Sequence, residues 1–368
     1  MAKHNEKVNP IPVQTWSWLG VNESTVNIDL PAVTAYRKQP VYQRSSEAVS
    51  IGDIRSFKDT IIQLESQLEA GVSDTVSHFV TDKYNSGYFI EIGAGKKAEI
   101  PVVLQYELDE ENPVLVDNHF ILARENSEIT VVINYFSQEG SKGYHTGVTK
   151  IVAHAGARVH LVKVQMLSGD AVHIDAIGAI TGDQGRVDCT LIELGAQQVI
   201  TNCKNRLTGT NSAGNINSIY FGDQNRHIDI NYVLTYQARE TSGGIKARGA
   251  LLDNSQKIFR GTLDFIRGAK GANGKEEEYA VLLSPNVRNR SVPLMLCGED
   301  AVQGQHAASA GRLDEDKLFY LMSRGLSETD AKKLIIEAAF QPILEEIPIT
   351  ALQEEISGYV KRRLQHVQ

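Results

Sequence analysis

A short pattern recurs through the middle of this chain at nearly constant spacing: a small or polar residue, any residue, then Ile or Val. Its instances are Ala98-Glu99-Ile100, Ser127-Glu128-Ile129, Ala157-Arg158-Val159, Gly185-Arg186-Val187, Gly214-Asn215-Ile216 and Gly243-Gly244-Ile245. The branched residues at 100, 129, 159, 187, 216 and 245 are separated by 29, 30, 28, 29 and 29 positions. Each instance follows Gly, Asn, Ser or Asp, which supply the corner conformations of a tight turn. Each of the middle ones opens an alternating segment: EITVVINYF, RVHLVKVQML, RVDCTLIEL and NINSIYF. Alternation of this kind marks a strand with one buried face. One such unit cannot bury its apolar face alone, whereas stacked units share a continuous core. Residues 86–300 contain no long amphipathic helix, which excludes a doubly wound α/β fold. The expectation is a mainly β chain: a right-handed parallel β-helix with one coil of about 29 residues per repeat. An antiparallel sandwich is the competing all-β fold, but it does not require a constant period.

Helical patterns flank the repeats. Residues 53–71 carry Ile54, Phe57, Ile61, Ile62, Leu64 and Leu68 near helical spacing, with Gly71 placed as a C-cap. The segment before it, with Trp16, Trp18 and VNESTV, is rich in turn formers and has no assigned structure. Toward the C-terminus, Asp314 precedes a helix ended by Gly325. Ser327 and Asp330 form a variant capping box for a second helix, and TALQEEISGYVKRRL forms a third with basic residues at its end. The expected organisation is a helical or mixed N-terminal region over 1–85, a β-helix core over 86–310 and a helical domain over 311–368. That last domain is too small for a core of its own. It is expected to dock on the solenoid, on a partner or on both, with a helical cap over the unpaired edge of the last coil.

Composition narrows the function. The net charge of −8 and the lack of any basic run argue against nucleic-acid binding. The N-terminus lacks the apolar core of a secretion signal, and no apolar run reaches bilayer-spanning length, so a cytoplasmic protein without membrane contact is expected. The three cysteines, Cys189, Cys203 and Cys297, are widely spaced and form no CxxC. They are read as buried or idle thiols.

The segment GQHAASAGRLDEDKLFYLMSRGLSETDAKKLIIEAAF, residues 304–340, resembles the C-terminal signature of the SufB/SufD family. The matching elements are His306, a run of small residues, Gly311, the acidic helix start at Asp314, the aromatic Phe319-Tyr320-Leu321 and Ser323-Arg324-Gly325. KIFRGTLDFIRGAKG, AVLLSPNVRN and VPLML are similar to the family's last β-helix coils. The resemblance implies a non-enzymatic scaffold of iron–sulfur cluster assembly that pairs with a SufB-type subunit or with itself. It implies docking of the ABC-type ATPase SufC on the C-terminal helices, with Phe319, Tyr320, Leu321 and Arg324 as candidate contacts. The alternative for the aromatic helix is that Phe319 and Leu321 pack under the cap while Arg324 caps a carbonyl. The chain has no GxxxxGK[ST] phosphate loop of its own. No stably bound cofactor is implied, only a transient cluster at a subunit interface, for which His306 is the candidate metal ligand.

Ala307 resembles SufD-type chains, where SufB-type chains carry Glu. Many SufD-type chains have Cys two residues before the signature His, but Gly304 stands here, which counts against a cluster-ligand role for that position. Cys297 does not align with the SufB cluster cysteine. His119, His145, His154, His160, His173 and His227 are expected to be structural. A homodimeric SufB-like scaffold without a SufD partner is the alternative within the family. An unrelated carbohydrate-active β-helix enzyme is the alternative outside it, disfavoured because the repeats show no ladder of Asp or Glu.

Overall fold

The computed structural model describes residues 4–15, 17–43, 48–65 and 68–364. The N-terminal region contributes four strands, β1 (His4–Val8), β2 (Ser24–Ile28), β3 (Val41–Gln43) and β4 (Val49–Asp53), and two helices, α1 (Lys58–Glu65) and α2 (Asp74–Lys83). Trp16 lies outside the described residues. The helix expected over 53–71 is shorter than its periodicity suggests. A 3-10 turn at Ile54–Phe57 leads into α1, residues 66 and 67 fall outside the described set, and 68–71 are not helical. Ser73 caps the separate helix α2 by accepting from the backbone N–H of Val76. The backbone of Glu69 lies against the outer face of the solenoid at Gly178, where a Cβ would come within 2.6 Å of the Glu69 carbonyl oxygen.

Two nine-stranded sheets form the solenoid. One carries β6 (Val102–Leu108), β8 (Glu128–Ser137), β10 (Arg158–Met166), β12 (Arg186–Glu193), β14 (Ala213–Gly222), β16 (Ser242–Leu251), β18 (Asn273–Leu282) and β20 (Gln303–Arg312). The other carries β5 (Tyr88–Ile92), β7 (Val114–Ala123), β9 (Tyr144–Ala153), β11 (Val172–Thr181), β13 (Gln198–Leu207), β15 (His227–Tyr236), β17 (Gln256–Phe265) and β19 (Arg288–Cys297). Within each sheet these strands pair in parallel, each with the strand one coil away. A coil therefore holds two strands, and the repeat seen in the sequence marks only the even-numbered one. At the N-terminal end β3 and β4 pair antiparallel on β6 and β5. That reversal ends the parallel stack, with β3 and β4 as the outermost strands. At the other end nothing among the described residues pairs with the outer edges of β19 and β20.

The repeat holds in part. Ile129, Val159 and Val187 stack in one inner column. Val187 then pairs with Gly214, and Ile216 with Cys189, so the column continues as Gly214, Gly243, Gly274 and Gly304. At Gly214 a Cβ would lie 2.4 Å from Asn205 Nδ2, and further along, at Gly274, aromatic side chains take the space. Tyr236 and Phe265 stack inside these coils with centroids 4.4 Å apart. A Cβ at Gly274 would meet Tyr236 Oη at 2.5 Å and Phe265 Cζ at 2.8 Å. Ile100 precedes β6 and is 45% exposed. The expected turn chemistry is present as a second column. Gly95, Asn126, Gly156, Gln184, Asn211, Glu240 and Gly271 all have positive φ. Each donates its N–H to a carbonyl of the next corner, as Asn126 does to Ala155 and Glu240 to Lys270.

Three C-terminal helices follow: α3 (Glu315–Ser323), α4 (Glu328–Leu344) and α5 (Thr350–Leu364). Asp314 and Ser327 cap the first two as expected. Their position corrects the expected cap, for α4 and α5 turn back along the flank. Ile336, Phe340, Ile343, Ile356 and Val360 pack on outward residues of the even sheet, including Val132, Val162, Ile192 and Ile219. Those strands are apolar on both faces, so the flank has more surface to bury than the narrow end does. Arg363 clamps Asp223 with two hydrogen bonds, and Glu346 accepts from Asn217 at 2.7 and 2.9 Å. On the opposite flank, α2 and the β1–β2 hairpin cover Val116, Val148, Ile174 and Ile200 of the odd sheet. Phe340→Ala is expected to cost about 3–5 kcal/mol of local stability. Hydrogen exchange should then speed up across 336–364 while the solenoid strands keep their protection.

Candidate functional site

The open end is built from β19 and β20. β20 reads QGQHAASAGR and is exposed at nine of its ten positions. An uncovered parallel strand with small side chains presents a row of free N–H and C=O groups, which is a template for pairing with another chain. Gly304 belongs to the glycine column, since a Cβ there would meet Met295 Sδ at 2.5 Å. Packing thus accounts for the glycine at this position.

His306 is exposed and sits in the inner column directly over Glu276 of β18. Glu276 is fully buried, and neither carboxyl oxygen has a hydrogen-bond partner among the described residues. Room for it comes from Gly261, whose Cβ would lie 2.8 Å from Glu276 Oε1. Burial, aided by the neighbouring Glu278 carboxylate, pushes the Glu276 carboxyl up to about 8. Glu278 is held differently: it accepts from Tyr220 Oη at 2.8 Å and pairs with Lys257. Desolvation lowers the Lys257 ammonium, although Glu278 works to raise it. Cys297 is exposed at the end of β19. Among the described residues no cluster of three metal-ligating side chains includes His306 or Cys297. The open end thus carries one exposed imidazole, His306, and one exposed thiol, Cys297.

The second exposed feature is α3, which has no buried residue. Phe319 is 74% and Tyr320 56% exposed, and Met322, Leu326 and Leu334 are exposed too. Leu321 is half-buried. Arg324 places its guanidinium 5.4 Å from the Tyr320 ring centroid. The alternative of Phe319 packed under a cap does not hold, because no cap covers α3.

Sequence reasoning missed the solenoid lumen. His119, His145 and His173 are wholly buried there, alongside Asp117, Asp175, Lys163 and Glu193. Burial, with Asp175 adding to it, raises the Glu193 carboxyl to about 8. A signal existed: His145 and His173 are 28 residues apart, one coil, as are Gly147 and Asp175. The acids that converge do so inside the coils, not on a solvent face where a polysaccharide could lie.

Residues 106–339 match the family model described as SUF system FeS cluster assembly, SufBD core domain. Among similar proteins, the iron-sulfur cluster assembly protein SufD of Bacillus subtilis is 26% identical over 282 residues, covering 76% of this chain and 64% of that protein. Iron-sulfur cluster assembly SufBD family proteins of Staphylococcus saprophyticus and Staphylococcus epidermidis are 23% and 22% identical, each covering 91% of this chain and 74% of theirs. The chain thus spans just under two thirds of the length of the Bacillus subtilis protein.

The buried Glu276 gives a pH prediction. Its folded-state value lies above the unfolded one, so the neutral carboxyl's contribution is complete below the unfolded value and is lost as pH rises through about 8. In Glu276→Gln that loss disappears. The thermal-midpoint advantage of the variant should be small near pH 5 and largest above pH 8, measured by circular dichroism. A difference that does not change with pH would contradict this.

Proposed function

The chain belongs to the SufB/SufD family of the SUF iron–sulfur cluster assembly system, and from that premise we propose that it is a SufD-like scaffold subunit whose open solenoid end pairs with a SufB-type subunit. The observation that carries this reading is the contrast between the two ends: one finishes in the antiparallel strands β3 and β4, and the other in the parallel strand β20, exposed at nine of its ten positions. A strand of Gly, Ala and Ser lets a partner backbone approach closely. His306 sits at that edge as a ligand for the nascent cluster, which is cargo and not a resident cofactor. A neutral imidazole binds iron alongside thiolates, and the remaining ligands come from the partner. A second copy of this chain meeting at the same edge is the alternative pairing, and Ala307 favours the SufD-like role. Family membership removes the reading as an unrelated carbohydrate-active enzyme.

The SufC-type ATPase docks on α3 through Phe319, Tyr320 and Leu321, with Arg324 completing the contact. Large exposed aromatics beside an arginine are the residue types that dominate binding energy at interfaces. ATP hydrolysis belongs to that separate chain. Localisation in the cytoplasm goes with this role, and no helix among the described residues is long and apolar enough to cross a membrane.

Co-purification with the matching SufC-type ATPase tests the docking. The parent chain is expected to capture it. Phe319→Asp should weaken capture by about a hundredfold, the scale of one hot-spot residue, with an unchanged circular dichroism spectrum because the side chain is exposed. Equal capture by both would remove α3 from the interface. For the edge, Ala308→Pro should abolish association with a SufB-type subunit in sedimentation velocity. His306→Ala should leave association intact and lower the iron retained on the assembled pair.

A further inference from the structure

Inside the solenoid, toward its N-terminal end, lies an enclosed cluster that the scaffold role does not use. Asp117 of β7 and Asp175 of β11 occupy one inner column of the odd sheet, with Gly147 of β9 between them in register. His145 and His173 are neighbours in the adjacent column. Because residue 147 has no side chain, a gap opens between the two carboxylates. A Cβ at that position would run into Asp117 Oδ1 and lie 3.0 Å from His145 Nε2.

Asp117, His145 and Asp175 each offer a ligand atom, and these atoms all lie within 4.8 Å of one another, fully enclosed. The outer lone pairs are already engaged. Asp117 Oδ2 accepts from Tyr135 Oη at 2.8 Å and stands 3.1 Å from His145 Nε2. Asp175 Oδ1 accepts from Lys163 Nζ at 2.7 Å, and Lys163 also donates to Thr149 at 3.1 Å. Asp117 Oδ1, which faces the gap, is buried and has no hydrogen-bond partner among the described residues. A buried carboxylate oxygen left in that state is costly.

We propose that the gap beside Gly147 binds one divalent first-row transition-metal ion through Asp117, Asp175 and His145 Nε2. Two carboxylates and an imidazole make a nitrogen–oxygen donor set suited to ions such as zinc or ferrous iron. Coordination through Nε2 puts the imidazole proton on Nδ1, and His173 Nδ1 stands 2.8 Å away to accept it. The His173 proton then sits on Nε2, 3.6 Å from Glu193 Oε2, itself a buried oxygen without a partner. Lys163 and Tyr135 orient the two carboxylates from behind. Ligands bound to one such ion at about 2.0–2.2 Å stand about 3.3 Å apart, so the carboxylates close inward on binding. The bound ion would tie three successive coils together across their shared core.

This site uses no residue of β20 or α3, so it stands or falls separately from the scaffold reading. The test expresses the full chain in cobalt-supplemented medium, which gives the ion access before the coils close. Cobalt, zinc and iron in the purified protein are counted by elemental analysis, with visible absorption of Co2+ as the spectroscopic readout. About one equivalent of metal in total is expected, with ligand-field bands of a nitrogen–oxygen site, and chelation under mild denaturant should lower the thermal midpoint. Gly147→Ala, which fills the gap and removes no ligand, and Asp117→Asn should both lose the metal. His306→Ala should keep it. If Asp117→Asn fails to fold, His145→Gln is read in its place. Metal-free parent protein, or metal retained undiminished in the folded lumen variants, overturns the proposal.

Discussion

Parallel pairing of each coil on the one beneath it governs everything else in this molecule. The backbone ladder holds successive strands about 4.8 Å apart, so each inward residue meets its counterpart one coil away, whatever that counterpart is. Side chains must then be chosen by column. Branched aliphatics stack on one another in the first coils. Flat rings do the same at nearly the ladder spacing, as in Tyr106 on Tyr135 at 5.5 Å and Tyr236 on Phe265 at 4.4 Å. Where rings fill one wall, glycine thins the other, as at Gly274 and Gly304 in the column that begins at Gly214.

The same rule places charge inside. Lys163 and Asp175 meet across the lumen from opposite sheets, and so do Lys257 and Glu278. Pairs of this kind add little net stability over well-packed apolar residues, but removing one member leaves the other stranded. Each bridges the two strands of one coil. They hold the even sheet in a set alignment with the odd one, which the ladders, acting only between coils, do not do.

Much of the fold was legible because a constant period, alternation and turn residues are local properties. The repeat at 129, 159 and 187 reads directly as a column. It slips at 216 because the stacking residue there is Gly214, and a glycine has no hydrophobicity by which to be counted. The odd-numbered strand of each coil escaped notice because its inner positions are mixed: Asp117, His119, His145, Asp175 and Thr201 break the alternation. For the same reason the buried histidines looked scattered until the coils were superposed. The helical caps at Asp314 and Ser327 follow from local chemistry. The direction in which α4 and α5 turn does not, for it depends on apolar residues such as Val162 and Ile219 that face outward from strands far away in sequence. His306 and α3 were found through resemblance, and their exposure is a property of what does not cover them.

The ends of the solenoid are unequal, and that bears on how far chains could stack. A stack of parallel coils with both ends free would be bifunctional, and like any bifunctional monomer it would add head to tail without limit into a fibre. The antiparallel strands β3 and β4 interrupt the parallel repeat at one end, so the two ends are not copies of one template. On the proposed pairing at β20, one such event would use up the parallel end, and growth through that contact would stop there.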